Sequence, residues 1–340
     1  MGSTKDTIVI KEATEDKVGV ARFYFSNRYS VFDWGEMPDL IQKKGTAICI
    51  LSSYFFEKLE EMGIFTHYLG IVEDGVAKRL SELKFPSNIM EIRLLSVIKP
   101  EIKNGNYDYS LYREIKGCFL IPLEIIYRNY LGPSSSIFKR LKEGELTIDE
   151  IGLDEMPIPG QRLDTPILDV STKLEASDRY ISWEEAKKMC SLKDEEIKNM
   201  KDITQRINRL ITEKFTKIGL TNEDGKFEFG FDENRCLILV DAIGTLDECR
   251  FTYNDIPVSK EIARMYYRNT KWYEATEVAK KKDIKNWKEI CLLKPQPLPE
   301  GLVKLISNVY CACTNEITEK EWFSDIPPLE DILKGLRDFV

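Results

Sequence analysis

The residues of this 340-residue chain best placed to do chemistry lie between positions 226 and 250. Lys226-Phe227-Glu228-Phe229-Gly230-Phe231 alternates with the period of a strand, turning its phenylalanines to one face and Lys226 and Glu228 to the other. A four-residue turn, Asp232-Glu233-Asn234-Arg235, leads to the apolar return Cys236-Leu237-Ile238-Leu239-Val240-Asp241. With Phe231 paired to Cys236, antiparallel register sets Lys226 opposite Asp241, and directly paired residues project to the same face. The spacing therefore predicts that Lys226, Glu228 and Asp241 converge. Two carboxylates beside an ammonium suit a magnesium nucleotide, because the hard cation takes carboxylate and phosphate oxygens while lysine offsets phosphate charge. The same pattern also fits a solvated ion pair between Lys226 and Asp241, and a one-residue slip of register would undo the convergence. Just beyond, Thr245-Leu246-Asp247-Glu248-Cys249-Arg250 places a hydroxyl, a carboxylate and a guanidinium on one short loop at a strand end. Arg250 offers bidentate recognition of phosphate or carboxylate.

A second anion-binding candidate is Tyr127-Arg128-Asn129-Tyr130-Leu131-Gly132-Pro133-Ser134-Ser135-Ser136-Ile137-Phe138-Lys139-Arg140. Free amides and serine hydroxyls in such a loop can wrap a phosphate, with Arg128, Lys139 and Arg140 supplying charge. It lacks the glycine and lysine spacing of a P-loop, and it also fits a loop that merely ends in basic residues. Eight cysteines without a CxxC pair, and His67 as the one imidazole, argue against a zinc site and predict reduced, mostly buried thiols. Cys311 and Cys313 are expected to be packing residues. Any histidine base would have to be His67.

The elements that must position these groups follow from periodicity. Branched and aromatic residues at 17–25 predict a strand, with further strands at 67–73, 89–98 and 118–127 and a polar insertion at 99–116. Ile48, Leu51, Phe55, Leu59 and Met62 predict a helix closed by Gly63. Ser182-Trp183-Glu184-Glu185 opens a long helical region whose apolar stripe runs from Ile197 to Ile218 and stops at Gly219. A helical tail over 258–282, a Pro-rich joint at 295–299 and shorter helices complete the chain. With 43% hydrophobic and 11% aromatic residues, the chain can bury a large core, in two or three lobes. A net charge of -8 argues against nucleic acid or an anionic membrane as partner. There is no apolar signal core at the start and no run near the roughly 18 residues of a spanning helix, so the cytoplasm is the expected address.

In this order, these pieces resemble the SAICAR synthetase family from Gly2 to Tyr267. Arg128-Asn129 through Ser136 and Lys139-Arg140 is similar to its Arg-Asn signature ending in Gly-Ser-x-x-Lys-Arg. Lys226-Phe227-Glu228-Phe229-Gly230 is similar to its Lys-x-Glu-Phe-Gly, with Asp241 and Arg250 at the following acidic and basic positions. Ser30-Val31-Phe32-Asp33 resembles its Ser-Ala-x-Asp loop, and Gly2-Ser3-Thr4-Lys5 its N-terminal Gly-Lys-x-Lys turn. The sequence departs from the family at Ser3, at Ser135 and in Thr245-Leu246-Asp247 where Ser-Pro-Asp is usual. The insertion at 99–116 and the long tail mark a divergent long form.

The resemblance implies an α+β fold of two lobes, antiparallel sheets with packed helices, related to kinase and ATP-grasp architectures. A β-rich nucleotide-binding lobe would span 1–122, and an α+β lobe with the substrate site and a helical extension 123–340. It implies an ATP-dependent ligase that condenses carboxyaminoimidazole ribonucleotide with L-aspartate through an acyl phosphate, with ATP and Mg2+ required and a homo-oligomer left open. Little histidine is needed for such chemistry, since positioning and positive charge lower the barrier. By the same resemblance Gly2, Lys5 and Lys226 hold ATP phosphates, and Glu228 and Asp241 the metal. Arg128, Ser136, Lys139 and Arg250 grip the ribonucleotide and aspartate, and Ser30 and Asp33 line the ribonucleotide side. Lys173 and Asp178, in the family's Lys-x-x-x-x-Asp region, are by the same resemblance substrate-binding. Lys226, Asp241 and Arg250 carry the catalytic expectation. A related kinase would need a His-Arg-Asp catalytic loop, which is absent. A nucleotide-binding protein without turnover is the other alternative.

Overall fold

The side-chain periods give two antiparallel sheets in the computed structural model, which describes residues 4–133, 135–284 and 286–336. The first sheet contains β1 (Lys5–Lys11), β2 (Gly19–Phe25), β3 (Tyr68–Glu73), β4 (Val76–Lys78) and β5 (Ile89–Leu94), in the order β1-β2-β5-β3-β4. Helix α1 (Lys44–Glu61) buries Ile48, Leu51, Phe55 and Leu59, the stripe its spacing predicts. The polar stretch at 99–116 is not featureless: β6 (Glu101–Lys103) and β7 (Asn106–Asp108) pair across Asn104-Gly105. Both turn residues have positive φ, 52° and 80°, the conformation that a two-residue hairpin of right-handed strands requires.

The second sheet carries β8 (Phe119–Leu131), β9 (Gln161–Thr172), β10 (Thr221–Phe231), β11 (Leu237–Val240), β12 (Cys249–Tyr253) and β13 (Ile256–Pro257). Its order is β13-β12-β10-β8-β9, and β11 also pairs with β10. Helix α2 (Ser136–Glu143) links β8 to β9, and α3 (Trp183–Cys190) and α4 (Asp194–Lys217) precede β10. The remaining helices are α5 (Glu261–Arg268), α6 (Lys271–Lys282), α7 (Trp287–Ile290), α8 (Glu300–Thr318) and α9 (Leu329–Leu336). Phe227, Phe229 and Phe231 are all buried, and Phe227 stacks on Tyr127 with ring centroids 5.3 Å apart. Phe215 of α4 stacks on Phe251 of β12 at 3.7 Å. The long helical region expected after Ser182 is two helices. Ser191 takes a left-handed φ of 52°, and Glu196 accepts a bond from the Lys193 amide at 2.8 Å, so one helix ends and another is capped within four residues. The tail at 258–282 likewise divides, because Thr270 caps α6 through the Tyr273 amide.

The hairpin differs from its predicted register by one residue. Phe231 pairs with Leu237 and Glu228 with Val240, so the turn holds five residues, not four. Asp232 causes this: its Oδ1 accepts from the amides of Asn234 at 2.9 Å and Cys236 at 2.7 Å, and Arg235 takes φ 59°. Lys226 and Asp241 are therefore not cross-strand partners. β11 stops at Val240, Asp241 turns out of the sheet with φ 67°, and β12 begins at Cys249. One edge of β10 is thus shared, residues 221–225 pairing with β12 and 228–231 with β11. The connection at 241–248 leaves the sheet between them, beside Lys226. Gly244 in that connection has φ 64°, and a Cβ there would lie 2.3 Å from the Phe55 ring. We expect Gly244→Ala to lower the unfolding free energy by about 2 kcal/mol or more, read as a reduced urea midpoint at unchanged m.

Candidate functional site

Alternation along β10 sends Asp224, Lys226 and Glu228 to one face, about 7 Å apart in succession. Each meets charge from a neighbouring element. Glu124 on β8 sits directly across from Glu228, and its Oε1 accepts from Lys226 Nζ at 2.5 Å and from Lys173 Nζ at 3.4 Å. Lys173, just after β9, also bonds Glu228. Lys5, at the start of β1, pairs with Asp241 and lies over the Phe23 ring at 4.8 Å. Glu248 completes the group, 4.0 Å from Lys226. Burial opposes the charge on Lys226, but Glu248, Glu124 and Glu228 outweigh it and hold the ammonium above its usual pKa. For Lys5 burial dominates, and the pKa falls despite Glu248 and Glu228. Burial raises Glu124, yet Lys226 and Lys173 pull it below the usual carboxylate range. His67 is no base here: burial, then Lys5 and Arg93, push it down to about 3, and its neutral Nε2–H donates to the Asp241 carbonyl at 3.1 Å.

Guanidinium groups gather at the Asp224 end of the same face. Asp224 holds Arg250 in a two-point ion pair, one arm at 2.7 Å, and lies 3.9 Å from Arg128. Arg128 is buried and donates to Ser136 Oγ at 3.2 Å, Tyr180 OH at 3.0 Å and Asp169 at 3.4 Å. Arg140 also holds Asp169, at 2.6 Å, and its guanidinium stacks on Tyr180. Ser135 caps α2, which leaves Ser136 to face Arg128. Nearby, Asn129 belongs to a buried amide network with Asn208 and Asn222 that ties β8 and β10 to α4.

Part of this charged face opens on a cavity of about 640 Å³, whose lining does not include the predicted site residues Glu228, Lys173 and Ser136; these sit behind it, bonded to Lys173, to Glu124 and Glu228, and to Arg128 respectively. Lys5, Lys226, Asp241, Arg128 and Arg250 line it, as do Ser30, Asp33 and Asp178 from its other walls. Asp33 is aimed by strain: Phe32 and Asp33 both take left-handed φ, 54° and 61°. The turn is held from α6 and α7, where Phe32 packs on Tyr273 at 4.7 Å and Trp34 on Trp272 and Trp287. Asp178 has no ion-pair partner among the described residues. Burial and then the Glu124 charge raise its pKa. Lys139 stands apart at the surface, 3.7 Å from Glu143, while its neighbour Arg140 takes the inward position. Gly2 lies outside the described residues. Buried Nε atoms of Arg128 and Arg264 and the Ser259 hydroxyl, all from lining residues, have no protein partner, as expected of groups that meet an anionic ligand.

The sequence reading missed Glu124, Asp169, Asp224, Glu248, Lys260 and Arg264. Glu124 had a signal, since it is the one charge within an otherwise apolar stretch of β8, and Asp224 extends the alternation of Lys226 and Glu228 by one step. Among the described residues no group of three or more carboxylates, thiols or imidazoles forms a ready metal cage. Magnesium bound through phosphate oxygens and waters needs only one or two carboxylates, so a pair such as Glu228 and Asp241 could serve as protein donors once released from Lys173 and Lys5. No helix among the described residues is long and apolar enough to cross a membrane.

Comparison with known proteins identifies the family. The profile described as SAICAR synthetase matches residues 10–282. A protein of Archaeoglobus fulgidus assigned as a phosphoribosylaminoimidazole-succinocarboxamide synthase is 48% identical over 338 residues, 99% of each chain. The synthase of Thermoplasma acidophilum is 31% identical over 310 residues, 88% of this chain and 93% of its own. Among solved structures, a SAICAR synthetase in complex with ADP superposes with a TM-score of 0.56 at 25% identity, covering 87% of this chain and 99% of that one. The Saccharomyces cerevisiae SAICAR synthase complexed with SAICAR gives a TM-score of 0.62 at 21% identity, covering 95% and 94%, and supports the fold. Asp169 is the buried counter-charge on which both Arg128 and Arg140 depend, so Asp169→Asn should destabilise the protein by about 3 kcal/mol in urea unfolding, whereas Lys139→Ala should change stability by less than about 0.5 kcal/mol.

Proposed function

The chain belongs to the SAICAR synthetase family, and on that premise we propose that it condenses carboxyaminoimidazole ribonucleotide with L-aspartate, using ATP, to give SAICAR, ADP and phosphate in de novo purine biosynthesis. The observation that carries this reading is the polarity of the β10 face, with ammonium and carboxylate groups around Lys226 and Glu228 and guanidinium groups around Asp224. The first set suits a magnesium polyphosphate, the second the phosphate and carboxylates of the acceptors. In the ligation, an oxygen of the ribonucleotide carboxylate takes the γ-phosphoryl group of ATP and ADP leaves. The aspartate amine then attacks the carbonyl carbon, its proton is lost, and inorganic phosphate departs as the amide forms.

In this reading Lys5 and Lys226 hold the ATP phosphates, exchanging Asp241 and Glu124 for phosphate oxygens. Glu228 and Asp241 would hold Mg2+, which supplies charge neutralisation on the phosphates when bound. Lys173 holds Glu228 in place through their hydrogen bond. Arg128 and Ser136 grip the ribonucleotide phosphate, Arg250 a carboxylate of the acceptor pair, and Ser30, Asp33 and Asp178 border the ribonucleotide. A division into lobes at 1–122 and 123–340 is supported by the two sheets, with the boundary drawn back ahead of β8 (Phe119–Leu131), which lies wholly in the second. A cytoplasmic location fits a metabolic enzyme of this kind.

The assay that tests the reading is ADP release with ATP, magnesium, carboxyaminoimidazole ribonucleotide and aspartate, repeated with each left out. Turnover that needs all four is the expected result; release without aspartate would replace the ligase with a kinase or ATPase. Glu228→Gln and Asp241→Asn should each lose at least about a hundredfold in kcat while keeping the wild-type melting temperature, and full activity in both would remove the metal assignment. Arg250→Ala should raise KM for the ribonucleotide or aspartate by more than about tenfold with little change for ATP.

A further inference from the structure

Helix α8 lies beyond the family-matched residues 10–282, yet its Ile306 and Tyr310 line the cavity. Tyr310 is buried, and its hydroxyl donates to Asp247 Oδ1 at 2.5 Å. The other carboxylate oxygen, Oδ2, accepts from Lys44 Nζ at 2.6 Å, and the Asp247 carbonyl accepts from Lys260 Nζ at 2.7 Å. Lys44 donates in turn to the Arg28 carbonyl at 3.2 Å, next to the segment that brings Ser30 and Asp33 to the cavity. The helix is itself pinned beside the start of α1, where Ser307 Oγ donates to the Gln42 carbonyl at 2.6 Å and Thr314 Oγ1 to that of Ala47 at 3.3 Å. Asp247 immediately precedes Glu248 and is three residues before Arg250, both of which face the cavity.

We propose that Tyr310 is a positioning residue for the ligation: through Asp247 it fixes the 245–250 segment, so that the C-terminal extension completes the acceptor side of the active site. This rests on the ligase reading and on Arg250 as an acceptor contact. The physical basis is that a carboxylate buried between α1 and α8 must have both oxygens satisfied. Tyr310 and Lys44 together do this, and either one alone leaves the carboxylate free to rotate and the segment free to shift. A displacement of about an ångström at Arg250 is enough to weaken a two-point anion contact substantially.

Tyr310→Phe tests this, because it removes only the hydroxyl and retains the ring that lies 5.6 Å from the Lys44 ammonium. We expect KM for the ribonucleotide or aspartate to rise roughly tenfold, KM for ATP to stay within about twofold, and the melting temperature to stay near wild type. In an Asp247→Ala background the same substitution should have little further effect, since the coupled acceptor is gone. Unchanged Michaelis constants in folded Tyr310→Phe, an equal effect in both backgrounds, or a fall in activity that only tracks lost folded protein would each overturn the proposal. Arg250→Ala in the same assay separates the two levels. If it raises the acceptor KM and Tyr310→Phe does not, only the positioning role fails. If the wild-type protein shows no aspartate-dependent turnover, the ligase reading fails and takes this inference with it.

Discussion

Everything in the cavity depends on how β10 divides one of its edges between two partners. A strand in mid-sheet normally meets one neighbour on each side along its length. Here β11 takes the second half of one edge and β12 the first, and the chain between them has to leave the sheet where the two meet. That exit delivers Asp241 and Glu248 to the place where Lys226 emerges from the same strand. The opposite edge is continuous with β8, which supplies Glu124 and Arg128 in register. The charged face is therefore a product of backbone pairing, and its side chains need little freedom to find one another.

Burying so many charges would be costly without pairing, and among the described residues most of them, though not Asp178, take a partner from another element. Lys44 with Asp247 and Arg140 with Asp169 are almost wholly buried pairs that join segments distant in sequence. They brace the segments that carry the site, while the lysines on and beside the charged face of β10 are more accessible: the Lys226 side chain keeps a third of its surface and that of Lys173 a quarter. Buried pairs fix the walls and accessible pairs remain exchangeable. The same division appears in the aromatic packing, where α6 and α7 clamp the strained turn at Phe32 and Asp33 without entering the cavity's charged face.

Much of this was legible in the sequence. The alternation around Lys226 and Glu228 fixed their common face, the spacing of Ile48 to Leu59 gave α1, and the basic stretch after β8 led to Arg128 and Ser136. The register was misread because Asp232 looks like any polar turn residue, and its side-chain capping of two amides adds a residue to the turn that composition does not reveal. The expected Lys226–Asp241 pair failed for that reason, although both residues still reach the cavity by another route. Strand β9 and the division of the tail into α5 and α6 escaped because their burial is set by tertiary neighbours, not by an internal period. Tyr310 had no local signal at all. It sits in the apolar stripe of an ordinary helix, and only the packing of α8 beside α1 turns its hydroxyl toward Asp247.

In and beside the cavity, Lys5, Lys173 and Lys226 are matched by Asp241, Glu228 and Glu124, ammonium against carboxylate. This mutual neutralisation makes the site an ion exchanger with a stoichiometric demand. A polyanion arriving alone would take the ammonium groups and strand the carboxylates, and a divalent cation arriving alone would do the reverse. Either intrusion leaves buried charge uncompensated, whereas the two together satisfy both halves at once. By thermodynamic reciprocity each would then strengthen the binding of the other, so on the proposed reading the charge pattern favours a metal–polyphosphate complex before any feature of the base or sugar is read.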